Sequence, residues 1–149
     1  GKASVIHNDY KMDNAIFSAE NPLNVIGVLD WEMATVGDPL MDLGCTLGYW
    51  VETGDPDFFR EYRTMPSDIE GAPTRTEIVA RFQEKTGIAV DNFPFYFCFG
   101  LFRLAVIGQQ IYYRYYQGLT KDKRFAMMVK KTHILQQMCE LIMAGEVKT

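Results

Sequence analysis

Apolar residues recur with two different periods along this chain, and the change of period divides it. Residues 4–7 form a short β-prone run that leads straight into a polar loop at 8–14. An apolar piece follows at 15–17, then a turn at 18–24 containing Asn21-Pro22, then an apolar, β-branched run at 25–31 that reads as a strand. Short strands around a polar loop predict a small hairpin-like platform. After Gly37-Asp38-Pro39 the spacing turns helical. Asp38 is placed to cap, Pro39 suits a first helical position, and a helix is expected over 40–50. Residues 52–57 and 65–73 read as loops, with a short helix at 58–63 between them. Thr74 and Glu77 have capping-box spacing, which opens a helix running to Thr86 and closed by Gly87. Residues 95–117 are apolar on most faces, the mark of a helix central to its domain. A last amphipathic helix is expected over 123–144.

The pattern predicts a mainly α fold with a small β platform at the N-terminal end. A length of 149 residues fits a single domain over 1–149, with the candidate chemistry in 4–45 and a helical bundle over 39–149. Composition changes this picture only by exclusion. With 48% hydrophobic and 23% charged residues, nothing points to disorder. The apolar stretch 93–107 is interrupted by Arg103 and falls short of the roughly 20 residues a spanning helix needs, so no membrane partner is expected. Fifteen basic residues against 19 acidic ones, with no basic run, argue against a nucleic-acid partner. A nucleoside triphosphate remains compatible, because a divalent cation neutralises its phosphates locally. Cys45, Cys98 and Cys139 are widely separated, form no CxxC pair and lie in apolar surroundings. They read as reduced core thiols, which suits a cytoplasmic location.

The polar loop carries the candidate chemistry: His7-Asn8-Asp9-Tyr10-Lys11-Met12-Asp13-Asn14, with Asp30 sixteen residues past Asn14 at the end of the apolar run. Phosphoryl transfer from a nucleotide needs a group to orient the attacking hydroxyl and a divalent cation to bridge the phosphates. Magnesium takes oxygen ligands, typically one or two carboxylates with phosphate oxygens and water. A loop bracketed by two strands brings Asn14 back beside Asp30 and leaves Asp9 to face a hydroxyl.

The spacing His-x-Asp-x-x-x-x-Asn matches the catalytic-loop pattern of kinases. Together with Leu29-Asp30-Trp31-Glu32, Gly37-Asp38-Pro39 and Asp42-Leu43, it resembles the aminoglycoside phosphotransferase and choline kinase family, which has the protein-kinase-like fold. The form is most similar to the phosphotransferase-like proteins related to the kinase-like domain of some acyl-CoA dehydrogenases. The motif match covers roughly residues 5–45. The resemblance implies that Asp9 is the catalytic base, that Lys11 meets the transferred phosphate, and that Asn14 and Asp30 hold Mg2+ and through it ATP or GTP. It implies that His7 and Asp42 support the loop, that Glu32 contributes through water, and that the partner is a small-molecule hydroxyl acceptor.

Members of this family have an N-terminal lobe with a glycine-rich loop and a strand lysine. No Gly-x-Gly-x-x-Gly occurs here, and Lys2 lacks a strand context. The chain is therefore expected to be the C-terminal lobe, with the N-terminal lobe absent. As such a fragment it is expected to be inactive alone and to expose apolar surface that promotes dimerisation. The competing readings are a non-catalytic pseudokinase-like binding module and a metal-dependent phosphohydrolase using Asp9 and Asp30. Elsewhere the expectations are structural. Tyr112, Tyr113, Tyr115 and Tyr116 read as core. Glu52 and Asp55 read as a solvated acidic loop, or else as a site for a cationic acceptor. Asp13, His133 and Lys130-Lys131 read as solvent-facing.

Overall fold

The computed structural model describes residues 3–147, so Lys2 lies outside the described residues. It is mainly helical, with two small two-stranded sheets at the front. Strand β1 (Ser4–Ile6) pairs antiparallel with β4 (Thr35–Gly37), and β2 (Ala15–Phe17) with β3 (Val25–Val28). Helices α1 (Pro39–Leu47), α2 (Asp57–Arg60), α3 (Arg75–Thr86), α4 (Phe93–Tyr116) and α5 (Met128–Met143) follow.

The β platform differs from the expected single hairpin. Only β2 and β3 form one; β1 closes instead on β4, which is too short to show a period. The expected strand 25–31 stops at Val28. Asp30 adopts a left-handed backbone (φ 63°), and Trp31–Met33 form a 3-10 turn that redirects the chain into β4.

Local signals set the helix boundaries. The Asp38 carboxylate accepts from Leu40 N–H at 2.9 Å, Pro39 fills the first position of α1, and the helix ends at Leu47. Thr74 and Glu77 make the reciprocal capping box of α3, and Gly87 (φ 70°) closes it. The final helix begins later than expected, because Lys123–Met127 form a 3-10 turn ahead of α5.

Helix α4 packs against α1 on one side and α5 on the other. Leu47, Phe97, Leu101 and Met138 are fully buried between them. Burial of each such side chain contributes about 1.5–3 kcal/mol. The α1–α4 crossing is backbone to backbone. A Cβ on Gly44 would lie 2.1 Å from the Tyr96 carbonyl oxygen, and one on Gly100 would lie 2.1 Å from that of Gly44. This contact brings α1, and with it Asp42 and Tyr49, up against the polar loop.

The tyrosine stripe is not core. Tyr113 and Tyr116 are 57% and 72% exposed, because the last turns of α4 run beyond the helices that cover its first half. Phe95, Phe102 and Val106 also lie open on one face of α4. Among the described residues no helix is long and apolar enough to cross a membrane.

Candidate active site

The loop after β1 is held from three directions. The Asp42 carboxylate on α1 accepts the backbone N–H groups of His7 (2.8 Å) and Asn8 (2.7 Å). Arg103 of α4 donates to the Asn8 carbonyl, and the Asn8 side-chain amide donates to the Met33 carbonyl (2.9 Å). Asn8 has a left-handed backbone (φ 65°), a conformation Asn tolerates better than most residues. His7 is buried, with its ring 4.7 Å from that of Trp31. Its Nε2 lies 2.7 Å from the Leu29 carbonyl, and its Nδ1 accepts from Asp9 N–H at 3.2 Å. The Nε2–H tautomer satisfies both partners at once. Both ring nitrogens are thereby engaged by backbone, and His7 acts as a brace between the loop and the end of β3.

This scaffold presents the Asp9 carboxylate to three donors. Tyr49 O–H donates to Oδ1 at 2.7 Å, Lys11 Nζ to Oδ2 at 3.0 Å, and Asn14 Nδ2 to Oδ2 at 3.2 Å. Asn14 also donates to the Asp9 carbonyl at 2.8 Å, and the Lys11 ammonium lies over the Tyr49 ring. An ionised carboxylate has about four lone-pair sites, so one stays free for a further donor. Burial, then the hydrogen bond to Asp9, push the Tyr49 hydroxyl well above the ordinary tyrosine range, so it stays a donor.

Asn14 is buried at the start of β2, and its carbonyl accepts from Leu29 N–H at 2.8 Å. With Ala15 paired to Val28, this bond puts Asn14 and Asp30 at the same end of the hairpin. Because both donor contacts of Asn14 go to Asp9, its amide oxygen is left for another partner. Asp30 is exposed, and among the described residues its carboxylate has no protein hydrogen bond or ion pair. One carboxylate and one amide oxygen suit magnesium, whose other ligands come from phosphate and water. Among the described residues no cluster of three His, Cys, Asp or Glu side chains could hold a metal unaided.

Asp13 and Glu32 are exposed. The acidic loop after α1 is neither solvated nor open to a cationic ligand. Asp55 is buried and bidentate to the buried Arg75 guanidinium, at 2.8 and 2.6 Å. Glu52 pairs with the same side chain and accepts from Arg75 N–H. Lys130 is exposed and paired with Glu61. Cys98 and Cys139, distant in sequence, meet across α4 and α5, the Cys139 thiol donating to the Cys98 carbonyl at 3.6 Å.

Two residues in contact with the loop escaped the sequence reading. Arg103 carried a usable signal, since a cation inside an apolar helix needs a partner. Tyr49 carried none, because its position just past α1 marks no spacing.

Residues 1–77 match the phosphotransferase enzyme family known as APH, and the chain belongs to that family. It is similar to acyl-CoA dehydrogenase family member 10 of Mus musculus, at 33% identity over 142 residues covering 94% of this chain. It is also similar to family member 11 of Homo sapiens, at 32% identity over 119 residues covering 77% of this chain. The match spans 13% and 15% of the length of those two proteins.

Proposed function

We propose that this chain supplies the catalytic loop and metal site of an ATP-dependent phosphotransferase that moves the γ-phosphate to a hydroxyl of a small molecule. In this reading it forms the C-terminal lobe of a protein-kinase-like fold. The observation that carries it is the Asp9 carboxylate, held by Tyr49, Lys11 and Asn14 with one lone-pair site unused, together with the free oxygens of Asn14 and Asp30 at one end of the β2–β3 hairpin. The acceptor O–H donates to that remaining site. Its oxygen forms the new bond to phosphorus, ADP leaves with the bridging oxygen, and Asp9 takes the released proton. Asn14 and Asp30 would hold magnesium, which when bound neutralises charge on the ATP or GTP phosphates. Lys11, anchored on Asp9, supplies a cation near the transferred group. His7 and Asp42 fix the loop backbone.

The names of the relatives refer to acyl-CoA chemistry, so hydroxylated acyl thioesters belong in the acceptor panel. The test is ADP release by the full natural chain with magnesium and ATP, with and without acceptors. Acceptor-dependent ADP with stoichiometric phosphorylated product supports transfer. Free phosphate without any acceptor identifies a hydrolase. Nucleotide binding without turnover identifies a binding module.

A further inference from the structure

Helix α1 ends at Leu47, so Tyr49, whose hydroxyl grips Asp9, lies past the helix and needs holding from its other side as well. Upstream, the N–H groups of Tyr49 and Trp50 bond back to the carbonyls of Thr46 and Leu47, at 3.2 and 2.9 Å. Downstream, the chain is held by Ser67, Pro73 and Arg75. The Arg75 guanidinium donates to the Trp50 carbonyl at 2.9 Å, and the Trp50 indole N–H donates to the Pro73 carbonyl at 2.8 Å. The Ser67 hydroxyl accepts from Val51 N–H at 3.0 Å and donates to the Val51 carbonyl at 2.8 Å.

The guanidinium is itself fixed in plane and position. Asp55 takes it with two bonds, and its central carbon lies 4.7 Å from the centre of the buried Phe97 ring of α4. Arg75 is 2% exposed, and among the described residues its Nε is the one buried side-chain nitrogen or oxygen without a hydrogen-bond partner. Apolar side chains of similar volume often hold such a spot as well as a buried ion pair does. What the guanidinium adds is direction: a rigid fork locked on Asp55 aims one N–H at the Trp50 carbonyl, which a lysine ammonium cannot reproduce.

We propose that Arg75 is a positioning residue for phosphoryl transfer: through the Trp50 carbonyl it sets the chain just past α1 so that the Tyr49 hydroxyl stays on Asp9. The inference rests on the phosphotransferase reading of Asp9. The polar contacts of Arg75 go to Trp50, Glu52 and Asp55 and not to the catalytic loop, so its effect reaches Asp9 along this short stretch of backbone. A displacement of about 1 Å at a positioned group can cost about 10²-fold in rate.

The test compares the full natural chain with Arg75→Lys and with the joint replacement Arg75→Met and Asp55→Leu, which strands no buried charge. The probes are magnesium-ATP and a hydroxybutyryl thioester. In the joint replacement kcat is expected to fall about tenfold while KM for magnesium-ATP is unchanged, and Arg75→Lys should lose less. Made in Tyr49→Phe, the joint replacement should lower kcat little further. The placement of Tyr49 is read separately, from its ring signals in tyrosine-labelled protein, which should move in the same direction as in Asp9→Asn. If the joint replacement does not fold, Arg75→Lys, which keeps a charge opposite Asp55, carries the same readouts. Unmoved Tyr49 signals, or a full further loss of kcat in the Tyr49→Phe background, overturn the inference and leave the phosphotransferase reading standing. Tyr49 signals that move as expected, without transfer by any of these proteins, support the placement by Arg75 and defeat that reading. Neither movement nor transfer overturns both.

Discussion

The Tyr49 hydroxyl donates a 2.7 Å hydrogen bond to the Asp9 carboxylate, joining the turn just past the first helix to the loop that carries the candidate base. A hydrogen bond to an ionised group contributes about 1.5–3 kcal/mol. In Tyr49→Phe the ring still fills its place while the carboxylate loses one of its three holds. We expect kcat to fall about tenfold with little change in stability, checked by steady-state kinetics and thermal melting on the same preparations. Because burial raises the hydroxyl above its ordinary value of 10.0, the bond should persist through mildly alkaline pH, and Tyr49 should add no alkaline limb to the pH–rate profile there.

The glycines at the α1–α4 crossing should reverse the usual sign of a helical substitution. Gly→Ala inside a helix ordinarily stabilises by about 1 kcal/mol. At Gly44 and Gly100 the new Cβ would meet backbone atoms at 2.1 Å, and backbone cannot swing aside as a side chain can. Either Ala variant is expected to lose about 1–3 kcal/mol or more in urea unfolding. A stabilised variant would mean the helices are further apart than described.

The Arg75–Asp55 pair is buried on both sides, with each side chain 2% exposed. Removing one partner strands the other charge. Asp55→Ala should destabilise by about 3–5 kcal/mol, whereas replacing both residues with apolar ones of similar volume should cost much less. A double-mutant cycle in urea checks this. Equal losses in the single and double variants would place the destabilisation in packing and not in the pair.

Acid stability follows from three carboxylates, Glu77, Asp68 and Asp122, that hydrogen bonding holds in the ionised form. Hydrogen bonds from the Thr74 backbone and then its hydroxyl lower the Glu77 carboxyl below its ordinary 4.5. Hydrogen bonds from Arg63 and Arg124 lower those of Asp68 and Asp122. A carboxyl with a depressed folded-state pKa stabilises above its unfolded value and loses that contribution as pH falls through the folded one. The melting temperature should therefore hold from neutrality to about pH 4.5 and decline below it. Glu77→Gln should melt lower near neutrality and show a shallower decline. Parallel pH profiles for the two proteins would remove Glu77 from the account.

Features encoded within a few residues were legible in the sequence. The Thr74–Glu77 box, the Asp38-Pro39 start and the Gly87 stop are contacts a chain makes with itself locally, and their residue types declare them. The spacing from His7 to Asn14 was legible for the same reason, as was Asp30 at the end of an apolar run. What failed to show depends on partners far along the chain. Strand β4 has only three residues and exists because β1, about thirty positions earlier in the chain, lies beside it. Asp55 sits in a stretch that reads as solvated, and only Arg75, twenty residues on, makes it a buried ion. The tyrosines of α4 look like core until the neighbouring helices end before them. Tyr49 reaches Asp9 only because Gly44 and Gly100 allow α1 and α4 to touch.

The central claim is tested most directly by single-turnover phosphoryl transfer in the full natural chain carrying Asp9→Asn, set beside nucleotide binding by the same protein. Asn keeps the shape and an acceptor oxygen but cannot take the hydroxyl proton. On the proposed function, transfer slows by about 10²–10⁴-fold while magnesium-nucleotide binding, there assigned to Asn14 and Asp30, is retained. Transfer at the unaltered rate in Asp9→Asn would contradict it.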